Sequence, residues 1–152
     1  MEAEELINAI RIVELVASTG SSAIRELVDA MNWADESVLP DDVVRAIEDR
    51  EATAQTIVDK GLALPHAMIQ WSGDFRLVLG RSQAGVEYGA TGDTLHFIVL
   101  LVVGNGREEA HLEVLAAVAN LLNDAGFRNS LIGARDVRDI EQLLAERAGR
   151  QP

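Results

Sequence analysis

The chain contains no cysteine, which excludes a disulfide framework, a thiolate metal site and a redox thiol. Aromatic residues make up 4% of its 152 positions, so its core must be built from Val, Ile, Leu and Ala. Long apolar runs are missing too. The most apolar stretch, "LHFIVLLVV" (95–103), falls far short of the roughly 20 residues a membrane-spanning helix needs, and no direct membrane insertion is expected. The opening "MEAEELINAI" has neither the basic start nor the apolar core of a secretory signal. Positive charge is also in short supply: 13 Lys and Arg stand against 25 Asp and Glu, a net charge of −12. Such a surface repels a polyphosphate backbone and argues against nucleic-acid binding, while it attracts a basic protein partner. A cytoplasmic protein of one domain over 1–152 is the expectation.

What is present alternates. "EELINAI" (4–10) reads as a short helix and "RIVELVA" (11–17) as a strand. "STGSS" (18–22) supplies a turn and a cap for a helix over 23–31, where Ile24, Leu27, Val28 and Met31 share one face. Pro40 suits the first position of a helix running through 41–54, and Asp41 and Asp42 suit its positive end. "LALPHA" (62–67) and "FRLVLG" (75–80) read as strands joined through Ser72-Gly73-Asp74, and the glycine-punctuated 85–93 reads as a loop. The 95–103 run is apolar on both faces, the signature of a central strand. "GNG" (104–106) is a turn leading into a helix over 109–125, with Leu112, Leu115, Ala116, Ala119 and Leu122 as its apolar face and Gly126 as its C-terminal cap. A last helix over 136–148 carries Val137, Ile140, Leu143 and Leu144 on one side. This order predicts an α/β layered fold, with the topology left open by periodicity.

Of three histidines, two are candidates for chemistry. His66 follows Pro65, whose fixed φ and missing N–H stiffen the backbone before it and push Leu64 into an extended conformation. That places an imidazole rigidly at the end of a predicted strand, on the rim where open α/β sheets carry their sites. His111 lies in the first turn of a predicted helix, whose free N–H groups favour an anion, and Arg50 lies near the end of the helix before the strand. Two imidazoles, a guanidinium and a helix N-terminus suit a phosphate. A neutral imidazole is nucleophilic near neutral pH and also leaves well, so a phosphoryl group placed on it can be passed on. The same two histidines lack a third ligand at metal-site spacing, so no metal is expected. His96, inside the apolar strand, reads as structural, and Glu108-Glu109 as helix-start charges.

"RE" (50–51), "T" (56), "GLALPHA" (61–67) and "HLEVLAAVANLL" (111–122) together resemble the type-2 EIIA domain of the bacterial phosphoenolpyruvate-dependent phosphotransferase system, its fructose/mannitol and nitrogen-regulatory branch. Arg50 and His66 are 16 positions apart, which matches the family pattern without a gap. The resemblance implies a single domain with a mixed β-sheet flanked by helices, needing no cofactor. It implies that His66 accepts a phosphoryl group from the phosphocarrier HPr or a relative and donates it to an EIIB partner. His111 then becomes the second active-site histidine, and Arg50 the charge-supporting arginine. The chain departs from the pattern at Gln55, where serine is usual, in "IVDK" (57–60) in place of a glycine-rich turn, and at Met68, often a basic position. A regulatory module acting on target proteins is the alternative reading.

Overall fold

The computed structural model describes every residue except 34–36, 54–55, 60, 90–91 and 151–152. In chain order it runs α1 (Ala3–Ala9), β1 (Ile10–Glu14), α2 (Gly20–Ala30), α3 (Pro40–Thr53), β2 (Ile57–Asp59), β3 (Leu62–Ala63), β4 (His66–Ile69), β5 (Phe75–Tyr88), β6 (Asp93–Gly104), α4 (Glu108–Leu122), α5 (Ala125–Ile132) and α6 (Val137–Arg150). The described strands form a mixed sheet in the order β1-β5-β6-β3-β2, with β4 also paired to β6. β5 and β6 are antiparallel, whereas β1 runs parallel to β5, and β3 and β4 run parallel to β6.

Strand β6 explains the layering. Phe97, Val99, Leu101 and Val103 point into one apolar cluster with Leu6 of α1, Val114 and Val118 of α4, Leu131 of α5 and Ile140 of α6. Ile98, Leu100 and Val102 point into the other, with Ile24 and Leu27 of α2 and Val44 and Ile47 of α3. A strand buried on both faces has no polar side to show, which is why 97–103 is continuously apolar. None of the described helices is long and apolar enough to cross a membrane.

Several boundaries differ from the sequence expectation. β1 stops at Glu14, because the Glu26 carboxylate accepts from the Val16 and Ala17 N–H groups at 3.0 and 2.9 Å and holds that stretch as a loop. The segment 85–93 is largely strand: β5 continues through Tyr88 and β6 begins at Asp93. Gly85, at φ +96°, accommodates the register shift between Arg81 and Val86 without ending the pairing. The helix expected over 109–125 breaks after Leu122, since the Asp124 side chain caps the Phe127 N–H at 3.1 Å and opens α5. Gly126 therefore lies inside α5 rather than capping α4.

One buried charge is visible only in the folded chain. Arg81 is 1% exposed, pairs with Glu14 of β1 and donates to the Leu131 and Ile132 carbonyls at 3.0 and 3.3 Å. It joins the sheet to the end of α5 and satisfies carbonyls that the helix leaves free.

Candidate functional site

The expected strand over 62–67 is present, interrupted at its centre. Leu62 pairs with Phe97 and His66 with Leu101, so β3 and β4 keep a common register along β6. Between them Leu64 and Pro65 leave the ladder. Pro65 has no N–H to give, although its carbonyl still accepts from Leu101 at 3.1 Å. Leu64 turns its N–H to the Thr56 carbonyl at 2.8 Å, and its own carbonyl faces the His66 ring at 2.9 Å. His66 thus begins β4 rather than ending a strand, a correction to its expected place.

The Leu64 oxygen can only accept, so His66 Nδ1 carries the proton and the free lone pair rests on Nε2. The ring is 7% exposed. Burial and the hydrogen bond together hold one tautomer and one orientation.

His111 stands beside it, with ring centroids 4.7 Å apart and planes inclined by 49°. It reaches this position because β6 runs parallel to β4 and turns at Gly104-Asn105-Gly106 directly into α4. Gly104 cannot carry a side chain: a Cβ there would sit 2.3 Å from the Gly73 carbonyl oxygen. His111 occupies the fourth position of α4. Burial, then the neighbouring His66, then the positive charge of Arg50 hold its imidazole below the ordinary 6.5. Its Nε2 is buried without a hydrogen-bond partner among the described residues, a condition that native interiors rarely leave unexplained. No cluster of three or more His, Asp or Glu suited to a metal occurs among the described residues.

Arg50 is exposed in the last turn of α3 and near enough for its charge to act on His111. His66 and His111 therefore meet at one place, with Arg50 within electrostatic reach of His111. Gln55 and Lys60, two of the departures from the family pattern, lie outside the described residues, and Met68 packs half-buried against the α4-side core.

Helix α4 carries a further correction. Its buried residues are Val114, Ala117, Val118, Leu121 and Leu122, whereas Leu112, expected on the apolar face, is 67% exposed beside His111. His96 is held structurally, its Nδ1 2.8 Å from the Ser82 carbonyl oxygen.

Sequence reasoning gave no role to Glu51. Its carboxylate accepts from the Thr56 hydroxyl at 2.6 Å and from the Tyr88 hydroxyl at 2.8 Å. Glu51 and Thr56 lie within the quoted family pattern, and that was their only signal. Tyr88 had none, because its strand read as loop.

Comparison with known proteins finds relatives over most of the chain. The chain is 28% identical over 148 residues to the fructose-specific EIIA component of Haloferax volcanii, spanning 92% of this chain and 95% of that one. It is 29% identical over 100 residues to the fructose-specific EIIABC component of Bacillus subtilis, matching 65% of this chain but 16% of that longer protein. In fold it is similar to the nitrogen regulatory protein IIA-Ntr of Neisseria meningitidis, with a TM-score of 0.73 and 21% identity over 91% of this chain and 94% of that one. Residues 6–147 match the family described as phosphoenolpyruvate-dependent sugar phosphotransferase system, EIIA 2, and the chain belongs to that family of phosphotransferase components.

Proposed function

We propose that this chain is a phosphocarrier in which His66 Nε2 receives a phosphoryl group from the phosphohistidine of HPr, or an HPr-like carrier, and passes it to an EIIB partner. The observation that carries the reading is the His66 ring itself. Nδ1–H is bound to the Leu64 carbonyl at 2.9 Å, which leaves the Nε2 lone pair for attack. In the step, Nε2 forms a bond to phosphorus as the donor's N–P bond breaks, and that electron pair returns to the donor imidazole. His66 keeps its Nδ1 proton, so the phosphorylated ring is cationic, and the Leu64 oxygen supports that charge.

Phosphoryl transfer asks a protein mainly for position and charge compensation. A phosphoryl group on His66 adds roughly −1.5 to −2 charge, as on other phosphorylated side chains. Arg50 supplies the compensating cation, and the unpartnered Nε2 of His111 supplies a hydrogen bond to a phosphoryl oxygen. The chain acts as one domain over 1–152 in the cytoplasm, and its net charge of −12 favours a basic donor. The similarity to fructose-specific components supports the transport branch over a regulatory one.

The test is incubation with phosphoenolpyruvate, enzyme I and HPr. One acid-labile, alkali-stable phosphoryl group per chain is expected, absent in His66→Ala and present, more slowly formed, in His111→Ala. Labelling of His66→Ala with none in His111→Ala would reverse the assignment.

A further inference from the structure

The hydrogen bonds behind His66 extend well beyond Leu64. Leu64 N–H is held by the Thr56 carbonyl at 2.8 Å, and the Thr56 hydroxyl is held by Glu51 Oε1 at 2.6 Å. Glu51 Oε2 in turn accepts from the Tyr88 hydroxyl at 2.8 Å. Tyr88 is 3% exposed and belongs to the apolar cluster under α2 and α3, whereas Leu64 belongs to the one under α4. The chain of contacts therefore passes from one layer of the fold to the other. Its anchor is rigid: Tyr88 sits in β5 opposite Asp93 of β6, and its ring lies so close to α2 that a Cβ on Gly20 would come within 3.0 Å.

We infer that Tyr88 and Glu51 are positioning residues for His66, holding the Leu64 peptide through Thr56 so that the imidazole keeps its Nδ1–H tautomer and its aim. The inference rests on the phosphocarrier reading for its purpose, though not for its geometry. Such a relay matters at this point of the strand. Pro65 has no N–H to give β6, and the Leu64 N–H faces the other way, to Thr56, so the Leu64 peptide is fixed from that side. Thr56 stands directly before β2, whose pairing with β3 is short and shifts register between Ile57 and Asp59. Glu51, within α3, adds a side-chain hold on Thr56, and Tyr88 holds Glu51. Burial and then the Glu51 carboxylate push the Tyr88 hydroxyl above its ordinary range, so it remains a donor throughout physiological pH. Glu51 is adjacent to Arg50, and the same tether sets the helix end that presents the guanidinium.

The test uses the full chain and reads the imidazole directly, without a phosphoryl donor. In ¹⁵N spectra near pH 7.5 the wild-type His66 ring nitrogens should be well separated, with the proton on Nδ1. Glu51→Ala should bring the two shifts together as the tautomers mix, and Tyr88→Phe, which keeps the ring, should move them the same way by less. Transfer from phospho-HPr should fall about tenfold in kcat for Glu51→Ala, the size expected for losing hydrogen bonds to a charged group, with KM for HPr unchanged. Glu51→Gln retains an acceptor oxygen for Thr56 and should recover most of the rate and the nitrogen separation. Wild-type nitrogen shifts in both Glu51→Ala and Tyr88→Phe would overturn the relay. If Glu51→Ala does not fold, Tyr88→Phe decides: unchanged His66 shifts in that variant overturn the relay, and converging shifts support it. Failure of the wild-type chain to accept phosphate would sink the phosphocarrier reading, while the nitrogen spectra would still decide for or against the relay.

Discussion

His66 Nδ1 lies 2.9 Å from the carbonyl oxygen of Leu64, two residues earlier in the chain. Neighbouring residues of a strand face opposite sides: Pro65 turns its carbonyl to Leu101 of β6 and Leu64 turns its N–H to Thr56, so the Leu64 carbonyl points away from β6 and is free to meet the ring. Pro65, between them, stiffens this stretch.

Pro65→Ala should therefore do two things. Stability should fall by about 0.4–1 kcal/mol, because the unfolded chain gains conformations. Transfer through His66 should slow by roughly threefold to tenfold, the size of one ordinary hydrogen bond, as Leu64 regains freedom. Chemical denaturation and single-turnover transfer from phospho-HPr measure the two effects separately. An unchanged transfer rate would show that Pro65 does not orient the imidazole.

Arg50→Met and His111→Ala should slow transfer by about tenfold to a hundredfold, the range expected when a charge-assisted hydrogen bond of about 1.5–3 kcal/mol is lost. Arg50 is exposed and the His111 Nε2 has no partner among the described residues, so neither change removes an interaction on which folding depends. Melting temperatures should stay near wild type. Wild-type rates in both variants would remove these residues from the chemistry.

The depressed His111 imidazole links stability to pH. Its proton is bound more weakly in the folded chain than in the unfolded one, where its value is the ordinary 6.5. Between the lowered value and 6.5 the unfolded state holds more protons, so stability rises with pH across that window. His111's contribution is full above about pH 7 and declines as pH falls through 6.5 toward the folded value. Urea denaturation at pH 7.5, 6.5 and 5.5 should show this decline in wild type, and a flatter profile in His111→Gln. Equal slopes in the two proteins would contradict it.

How far each feature could be read in advance depended on whether neighbouring residues were enough to specify it. The Ile24, Leu27, Val28, Met31 face of α2 and a cap within 18–22 follow from local spacing and side-chain chemistry; the face is buried and the cap is Thr19, with the helix starting at Gly20 rather than at 23. The central position of β6 follows from an apolar run that only two-sided burial accommodates. The α4 face did not follow in the same way. Apolar residues occupy more than one side of that helix, so periodicity alone could not separate Val114 and Leu121, which are buried, from Leu112, which is exposed. The extension of β5 through Tyr88 was hidden by Gly85, a positive-φ position that marks a turn in many chains and a register shift within this sheet.

By itself the sequence determined the chemistry available: two imidazoles and one guanidinium in a chain without thiols, and a proline placed to stiffen the backbone before one ring. These are properties of residue type and immediate neighbours. Only the tertiary structure decided that His66 begins a strand, that its Nε2 is the free nitrogen, and that Tyr88 and Glu51 stand behind it. Parallel pairing of β4 with β6 brings His66 and His111 together across the 44 positions between them. The Glu51 carboxylate joins Thr56 to Tyr88, 37 positions further along from itself. Register between distant strands is a collective outcome of packing both faces of the sheet, and no local pattern carries it.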